Sequence, residues 1–389
     1  MKVNVLGAAI TEIRSTLSVT VKEIISDVFL RAIKDAEVEP KDVDGLFITP
    51  ISFAGMSSAM LACNISDYLG LNLKSLALVE CGGTSSTIAL HYAINEILLK
   101  RNKINVVIGI DVKFDPFEDI EYGIPNAVIT QYALYGVHFA QYGIGTPIPF
   151  YAMSAQRYIY EYGVSPNDVA YLPVILRDNA TKNPYAQFRN RITVEDVLNS
   201  RMISPPLRLL DCSTFSTGAA ACVLGTEEIK SKKPVVRIRG MGEYHHASNF
   251  IPYNSGITAF ESVTKSAYEA YEQADVRSGD IDVAEVYGVF SYTELMIYED
   301  LGFFKKGEAV YHVRDGETKI DGDIPINPSG GRLSVGHPAG ATPLIELAEI
   351  FWQLRGEAGD RQVRNPSLGL VQAEHGMLNG NMVIILERI

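Results

Sequence analysis

An α/β fold assembled from two similar βαβαβ halves is what this sequence predicts. Three observations predict it: a composition able to bury a large core, short apolar runs alternating with amphipathic stretches, and two matching loop-to-helix segments far apart in the chain. The 389 residues are 47% hydrophobic and 21% charged, an ordinary globular composition that rules out disorder as the main state. At roughly 150 residues per domain, the length allows two or three domains or one large α/β body.

Residues 2–10 carry one lysine and then the apolar run VNVLGAAI. That run is at the short end for a secretory leader and is followed at once by TEIR, so it reads as a buried strand. Residues 21–36 repeat apolar side chains at i, i+3 and i+4 and read as a helix; 43–48 read as a strand. The βαβ pattern recurs as strand 75–80, a helix from about 84 to 100, and strand 104–111. In the last of these, INVVIGI is apolar enough to be covered on both faces, which points to a parallel sheet. From 114 to 206 the texture changes. FDPFEDIEYGIPN and YGIGTPIPFY surround helical stretches at 154–162 and 194–200, and the whole reads as a large excursion out of the sheet. Residues 219–225 return to the core pattern before the charged connector TEEIKSKKP at 226–234. The second half then repeats the first in kind: strand 235–240, helix 257–274, strand 283–287, helix 343–354, and strands 368–373 and 382–387. The expected units are 1–113 with 207–226, the excursion 114–206, and 235–389.

Composition also excludes partners. With 34 Lys+Arg against 46 Asp+Glu the net charge is −12, and no block of basic residues offsets it. Such a chain repels a polyphosphate backbone, so no nucleic-acid partner is expected. No apolar run approaches the ~20 residues that span a bilayer, so no membrane segment is expected. The cysteines Cys63, Cys81, Cys212 and Cys222 are too few and too irregularly spaced for a disulfide scaffold, which points to a reducing, cytoplasmic setting.

The segments ECGGTSSTIALHYAINEIL (80–98) and GHPAGATPLIELAEIFWQL (336–354) both run from small residues into an amphipathic helix. Each presents one reactive side chain near the helix start, Cys81 and His337. A helix N-terminus favours negative charge and lowers a thiol pKa toward the nucleophilic thiolate, and Gly82 and Gly83 permit a sharp turn. A free cysteine is as often a small buried residue; Cys212 and Cys222, in runs that read as core, fit that description. His337, fixed by Pro338 and surrounded by glycine, is placed to take a thiol proton. His375 ends an apolar strand beside Gly376. His245 and His246 are adjacent, but no third ligand is visible, so they read as loop residues and no metal site is expected.

These residues also carry a resemblance. LVECGGTSSTIALHYA (78–93), ITVEDVLNSRMISPPLRLLDCSTFSTGAAACVL (192–224), VAEVYGVFSYTELMIYEDLGFFKKGE (283–308), INPSGGRLSVGHPAGATP (326–343) and the C-terminal QAEHGMLNGNMVIIL resemble the thiolase superfamily from end to end. The likeness is closest to sterol-carrier-protein-linked thiolases and to archaeal acetyl-CoA acetyltransferase-like proteins. It implies the thiolase fold, a five-layer α-β-α-β-α arrangement of duplicated halves with an inserted loop domain that answers to 114–206. It implies a homodimer or homotetramer, coenzyme A or acyl-CoA as substrate, and no permanently bound cofactor. The implied activity is an acetyl-CoA C-acetyltransferase-like acyl transfer through acyl-Cys81, in Claisen condensation or thiolysis.

By position, Cys81 matches the thiolase nucleophile and His337 the histidine that activates it. His375 falls where degradative thiolases place a second, acid/base cysteine. Where thiolases carry an Asn-containing or His-Asp-Cys-Phe segment, this chain reads Tyr287-Gly288-Val289-Phe290, which leaves the Tyr287 hydroxyl as a candidate donor. Gly376 or Gly380 matches the glycine whose N–H completes the second oxyanion site. Two other readings remain open: an aldol-type lyase on acyl-CoA that uses Tyr287, and a catalytically weak paralogue that binds acyl-CoA or stabilises a complex. The latter follows archaeal relatives that resemble subunits associating with a small OB-fold acyl-CoA-binding protein and with hydroxymethylglutaryl-CoA synthase. The CoA phosphates need local positive charge, for which the candidates are Arg189, Arg191, Lys305 and Lys306, each equally readable as a solvated surface charge.

Overall fold

The apolar N-terminal run becomes β1 (Val3–Ile10), buried at every position, in a computed structural model that describes residues 2–16, 19–51, 60–113, 139, 141–142, 144–246 and 256–389. Thr20 caps α1 (Val21–Asp35): its hydroxyl accepts from the Glu23 N–H, and its own N–H donates to the Glu23 carboxylate, satisfying two orphan donors at once. There follow β2 (Gly45–Ile48), α2 (Leu61–Tyr68), β3 (Ser75–Leu78), α3 (Ser85–Leu98) and β4 (Ile104–Asp111). The excursion's first stretch, 114–138, lies outside the described residues. Its remainder holds α4 (Ile148–Tyr162), α5 (Pro166–Val169), α6 (Tyr171–Ala180), α7 (Val194–Asn199) and the small hairpin of β5 (Met202–Ser204) and β6 (Leu207–Arg208) before β7 (Gly218–Thr226). The second half is β8 (Val236–His245), α8 (Glu261–Ala274), β9 (Val283–Val286), α9 (Ser291–Asp300), α10 (Ala309–Asp315), α11 (Gly331–Val335), α12 (Thr342–Arg355), β10 (Leu368–His375) and β11 (Gly380–Arg388).

Among the described residues nine strands form one sheet in the order β3-β2-β4-β7-β1-β8-β11-β10-β9. The halves meet at a short junction where Asn4 and Val5 of β1 pair with Arg237 and Val236 of β8. Duplication shows in the pairing. In the first half β2–β4 is parallel, then β4–β7 and β7–β1 are antiparallel. In the second, β9–β10 is parallel, then β10–β11 and β11–β8 are antiparallel. The expected parallel sheet is therefore corrected to a mixed one. The cause is topological: the connection at 376–379 is too short for a crossover and returns the chain beside the strand it just left.

The central helix α12 packs on β7, β1 and β4 of one half and on β10, β9 and β11 of the other, with α3 beside it. α1 covers the first half from outside and α8 the second, which yields the five layers. No helix of the described residues is long and apolar enough to cross a membrane. The helices α2, α5, α6, α10 and α11 and the β5–β6 hairpin lie in stretches that the sequence pattern leaves unassigned, and two further departures have a clear cause. Every residue of α9 is buried, so it shows no polar face, and β8 runs on to His245 instead of stopping at 240.

Candidate active site

The chain leaves β3 and reaches Cys81 just before a tight turn, Gly82–Thr84, after which α3 begins at Ser85. Gly82 has φ +55°, a conformation that suits glycine. A Cβ on Gly83 would meet the main-chain oxygen of Glu374 and lie 2.8 Å from the Tyr287 hydroxyl. Glycine here lets β10 and Tyr287 close on the cysteine loop.

The turn also overturns the expected thiol electrostatics. The Cys81 N–H donates to Ser85 Oγ at 2.8 Å, the Gly82 N–H to Glu80 Oε1 at 2.9 Å, and the Thr84 N–H to the Cys81 carbonyl at 3.2 Å. These three N–H groups are spent within the turn and do not serve a thiolate. Burial pushes the Cys81 thiol up, Thr84 pulls the other way, and the charges of Glu80 and Glu243 add to the rise. A partner must therefore take the proton when the thiol reacts.

His337 is not joined to the thiol: among the described residues no hydrogen bond links it to Cys81. Its main-chain N–H donates to the Thr214 carbonyl at 3.0 Å and to Ser216 Oγ at 3.2 Å, and Phe215 stacks on its ring. Its Nε2 lies 2.6 Å from the Tyr287 hydroxyl. Burial, with the Arg332 charge adding to it, holds the imidazole neutral with a pKa down at about 3. Tyr287 is buried, its N–H donates to Gln372 Oε1 at 3.0 Å, and burial followed by nearby carboxyl groups pushes its phenol well up. It stays an O–H group at neutral pH. His337 and Tyr287 thus form one unit.

The imidazoles beside the cysteine are His375 and His245. The nearest donor atoms of Cys81, His245 and His375 all lie within 4.8 Å of one another. His245 Nδ1 is 2.9 Å from His375 Nε2, with the rings stacked 5.1 Å apart. His245 Nε2 is 2.8 Å from Glu243 Oε1, and the other oxygen of Glu243 is 2.6 Å from His91 Nδ1. Burial opposes the charge on Glu243, but these hydrogen bonds outweigh it and hold the carboxyl down at about 2. Burial, reinforced by His245, keeps His375 neutral with a pKa at about 4. The reading of His245 as a loop residue is corrected, since it ends β8. The signal was period-2 alternation: Met241, Glu243 and His245 share one face of a strand. His91, on α3, carried no such mark. The three donors match a soft divalent metal in type, but the two nitrogens face each other at hydrogen-bond distance and share a proton instead of converging on one point.

Gly380 pairs with His375 on one side and with His245 on the other. A Cβ there would overlap His375 Nε2 and come within 2.5 Å of His245 Nδ1, so its bareness admits the imidazole pair. Gly376 turns the chain with φ +65°, and its carbonyl accepts from the Tyr151 hydroxyl at 2.7 Å. The four basic candidates separate. Lys306 is engaged within the fold: its Nζ lies 2.6 Å from Asp300 and 4.0 Å from Glu299, both buried, and donates to the Thr258 carbonyl. Arg191 pairs with Asp178 at 2.9 Å and lines a cavity of about 300 Å³ with Lys182, Lys319 and Arg314. Arg189 and Lys305 are exposed.

Comparison with known proteins shows what the chain as a whole is similar to. A family model described as thiolase C-terminal domain-like matches residues 242–388. The chain is 37% identical over 374 residues to a protein named acetyl-CoA acetyltransferase from Methanothermobacter thermautotrophicus, covering 95% of this chain and 94% of that one. It is 36% identical over 220 residues to benzoylsuccinyl-CoA thiolase subunit BbsB of Thauera aromatica, 55% of this chain and 56% of that relative. Among solved structures it superposes on a chain of an Ltp2-ChsH2(DUF35) aldolase with TM-score 0.83 and 27% identity, covering 100% of this chain and 98% of that one.

Proposed function

The chain belongs to the thiolase superfamily, and from that premise we propose that it is an acetyl-CoA C-acetyltransferase-like enzyme in which Cys81 carries the acyl group. The observation that supports this reading is the clustering of Cys81 with His375 and His245, donor atoms within 4.8 Å, opposite a Tyr287 hydroxyl held by His337. Cys81 attacks the acyl-CoA thioester; its proton passes to the imidazoles and returns to the departing CoA sulfur. His375 then serves as the acid/base toward the α-carbon of acetyl-CoA, in place of the cysteine used by degradative relatives. Tyr287, with His337 Nε2–H donating to its oxygen, turns its own O–H toward the carbonyl oxygen as negative charge develops there. Gly376 remains the candidate for a backbone N–H. Arg191, beside other cations in its cavity, fits the CoA phosphates better than Lys306 does.

A homodimer fits the exposed apolar residues at one edge. Strand β3 ends the sheet, and Leu76, Leu78, Tyr92, Leu98 and Leu99 are exposed on it and on the adjoining α3, an edge that natural proteins cover. A small OB-fold acyl-CoA-binding protein and hydroxymethylglutaryl-CoA synthase are the proposed hetero-partners; a solved structure whose name couples two proteins and a relative named as a subunit support complex formation in general. The first of those names also supports a second reading, aldol-type cleavage with Tyr287 as the acid. Incubation with acetyl-CoA and longer acyl-CoAs followed by intact mass measurement separates the two. A covalent acyl adduct that disappears in Cys81→Ala supports the transferase; full turnover by Cys81→Ala overturns it in favour of the lyase.

A further inference from the structure

His337 Nε2 is held by the Tyr287 hydroxyl at 2.6 Å, whereas the donor atoms of His245 and His375 lie within 4.8 Å of that of Cys81, so the geometry offers the thiol proton a route through these two imidazoles. With Glu243 charged, its two oxygens accept from His245 Nε2–H and His91 Nδ1–H. That leaves His245 Nδ1 as an acceptor, and His375 Nε2, 2.9 Å away, as the donor to it; the tautomers follow from the network.

We propose that His375, His245, Glu243 and His91 form a proton arm for Cys81, in which His245 holds the thiol proton against the Glu243 carboxylate while the acyl group is transferred. The step balances. One S–H bond breaks at Cys81 and one N–H bond forms on the free nitrogen of His375, which passes its other proton to His245 Nδ1. The reverse shift delivers one proton to the sulfur of CoA. His245 is the proton-holding group, and Glu243 and His91 are positioning residues. His245 is met by Glu243 on its own strand, His375 on β10 and Cys81 on the loop before α3; around these, Glu80 acts on the thiol, His91 on α3 contacts Glu243, and Glu269 on α8 accepts from the Glu243 N–H. Gly380, pressed against both rings, keeps them in register.

The arm rests on the reading of Cys81 as the nucleophile, and it is tested without turnover. The readout is the rate at which iodoacetamide alkylates the half-buried Cys81 across the pH range, in EDTA, followed by peptide mapping because Cys63 is exposed and reacts as well. The sign of the Glu243→Gln effect decides. Acting only as a nearby charge, Glu243 raises the thiol, and its removal would speed alkylation. Acting through His245, it stabilises the imidazolium that pairs with the thiolate, and its removal slows alkylation by about tenfold at neutral pH, with the profile displaced upward by about one pH unit. His245→Gln should match Glu243→Gln, and the conservative Glu243→Asp should recover part of the rate. Faster or unchanged alkylation in Glu243→Gln overturns the proposal. Should that variant fail to fold, His91→Gln carries the test: slowed alkylation supports the arm, and an unchanged profile overturns it. If Cys81→Ala keeps full turnover while Glu243→Gln slows alkylation, the assigned function fails and the arm stands.

Discussion

Tyr287→Phe removes one oxygen from the centre of the site and leaves everything else in place. That oxygen lies 2.6 Å from His337 Nε2 and 3.5 Å from the Ala339 carbonyl. The ring remains edge-on to the imidazole, 5.2 Å between centroids, so packing is preserved. In the fold the loss strands His337 Nε2 in a buried place, and a buried polar group left unpaired costs about 1–3 kcal/mol. In catalysis the loss of a donor aimed at a developing oxyanion costs about 10²- to 10³-fold in rate. Two measurements on one preparation follow these separately: urea unfolding for the first, and the time course of acyl-Cys81 formation by intact mass for the second. The expected outcome is a folded variant that still acquires the adduct, more slowly by the catalytic factor. The phenol is held in its neutral form by burial, so the deficit should not vary between pH 6 and 9. Acylation at the wild-type rate refutes the donor assignment. Loss of lyase turnover with acylation untouched would move Tyr287 to the acid role of the alternative reading.

Gly380→Ala places a methyl group against His375 Nε2 and His245 Nδ1; since these are the ends of movable side chains, urea stability should hold while Cys81 acylation falls, and an unchanged acylation rate refutes the imidazole pairing. Lys306→Met leaves Asp300 and Glu299 buried without their cation and should cost about 3–5 kcal/mol of stability, with the KM for acyl-CoA unaltered; a raised KM at unaltered stability would restore Lys306 to the nucleotide. His337 is held down at about 3 by burial, whereas an unfolded histidine ionises near about 6.5, so the unfolded chain takes up the proton first. Its share of stability is complete above about pH 6.5 and declines as pH falls toward 3, by about 1.4 kcal/mol per pH unit for one proton; His337→Gln should flatten that slope in urea titrations, and an unaltered slope refutes the assignment.

The strands and the two loop-to-helix units were legible because apolar periodicity and glycine placement are local properties. Cys81, His337 and His375 stand out in the sequence for the same reason: each sits where a glycine-rich turn meets a buried element. What the sequence withheld is which of them touch. Nothing local says that a phenol from the loop after β9 takes the nitrogen of His337, or that His245, at the end of an extended β8, meets His375. That contact depends on β11 lying between them, with Gly380 opposite both. The thiol electrostatics differ from the expectation because burial pushes the thiol up, and the N–H groups of Cys81 and Gly82 just before the helix are taken by Ser85 and Glu80. α9 was missed because Glu294, Glu299 and Asp300 are paired inside the protein, so its polarity no longer marks a solvent face.

The duplication accounts for where the chemistry sits. Each half ends its central strand on a residue that addresses the loop of the other half. In the first, Asp111 at the end of β4 accepts from the Gly340 N–H at 3.0 Å, fixing the loop that bears His337, and Gly109 lets that loop approach, since a Cβ there would lie 3.0 Å from Ala341. In the second, His375 at the end of β10 lies by Cys81, and Gly83 lets the Glu374 carbonyl approach the cysteine loop. The arrangement is reciprocal, and only the connections differ. Between β4 and β7 the chain makes its long excursion, whereas between β10 and β11 it turns within 376–379 and brings Gly380 directly beside His375. The short turn is what lets β11, and through it His245 of β8, share the end of β10. Cys81, His91 and Asp111 come from one half and Glu243, His245, Tyr287, His337 and His375 from the other, so Cys81 meets His245 and His375 only when the halves are docked around α12. Chemistry and docking are therefore the same event, and a substitution that parts the halves, even far from Cys81, should abolish acylation before it unfolds either one.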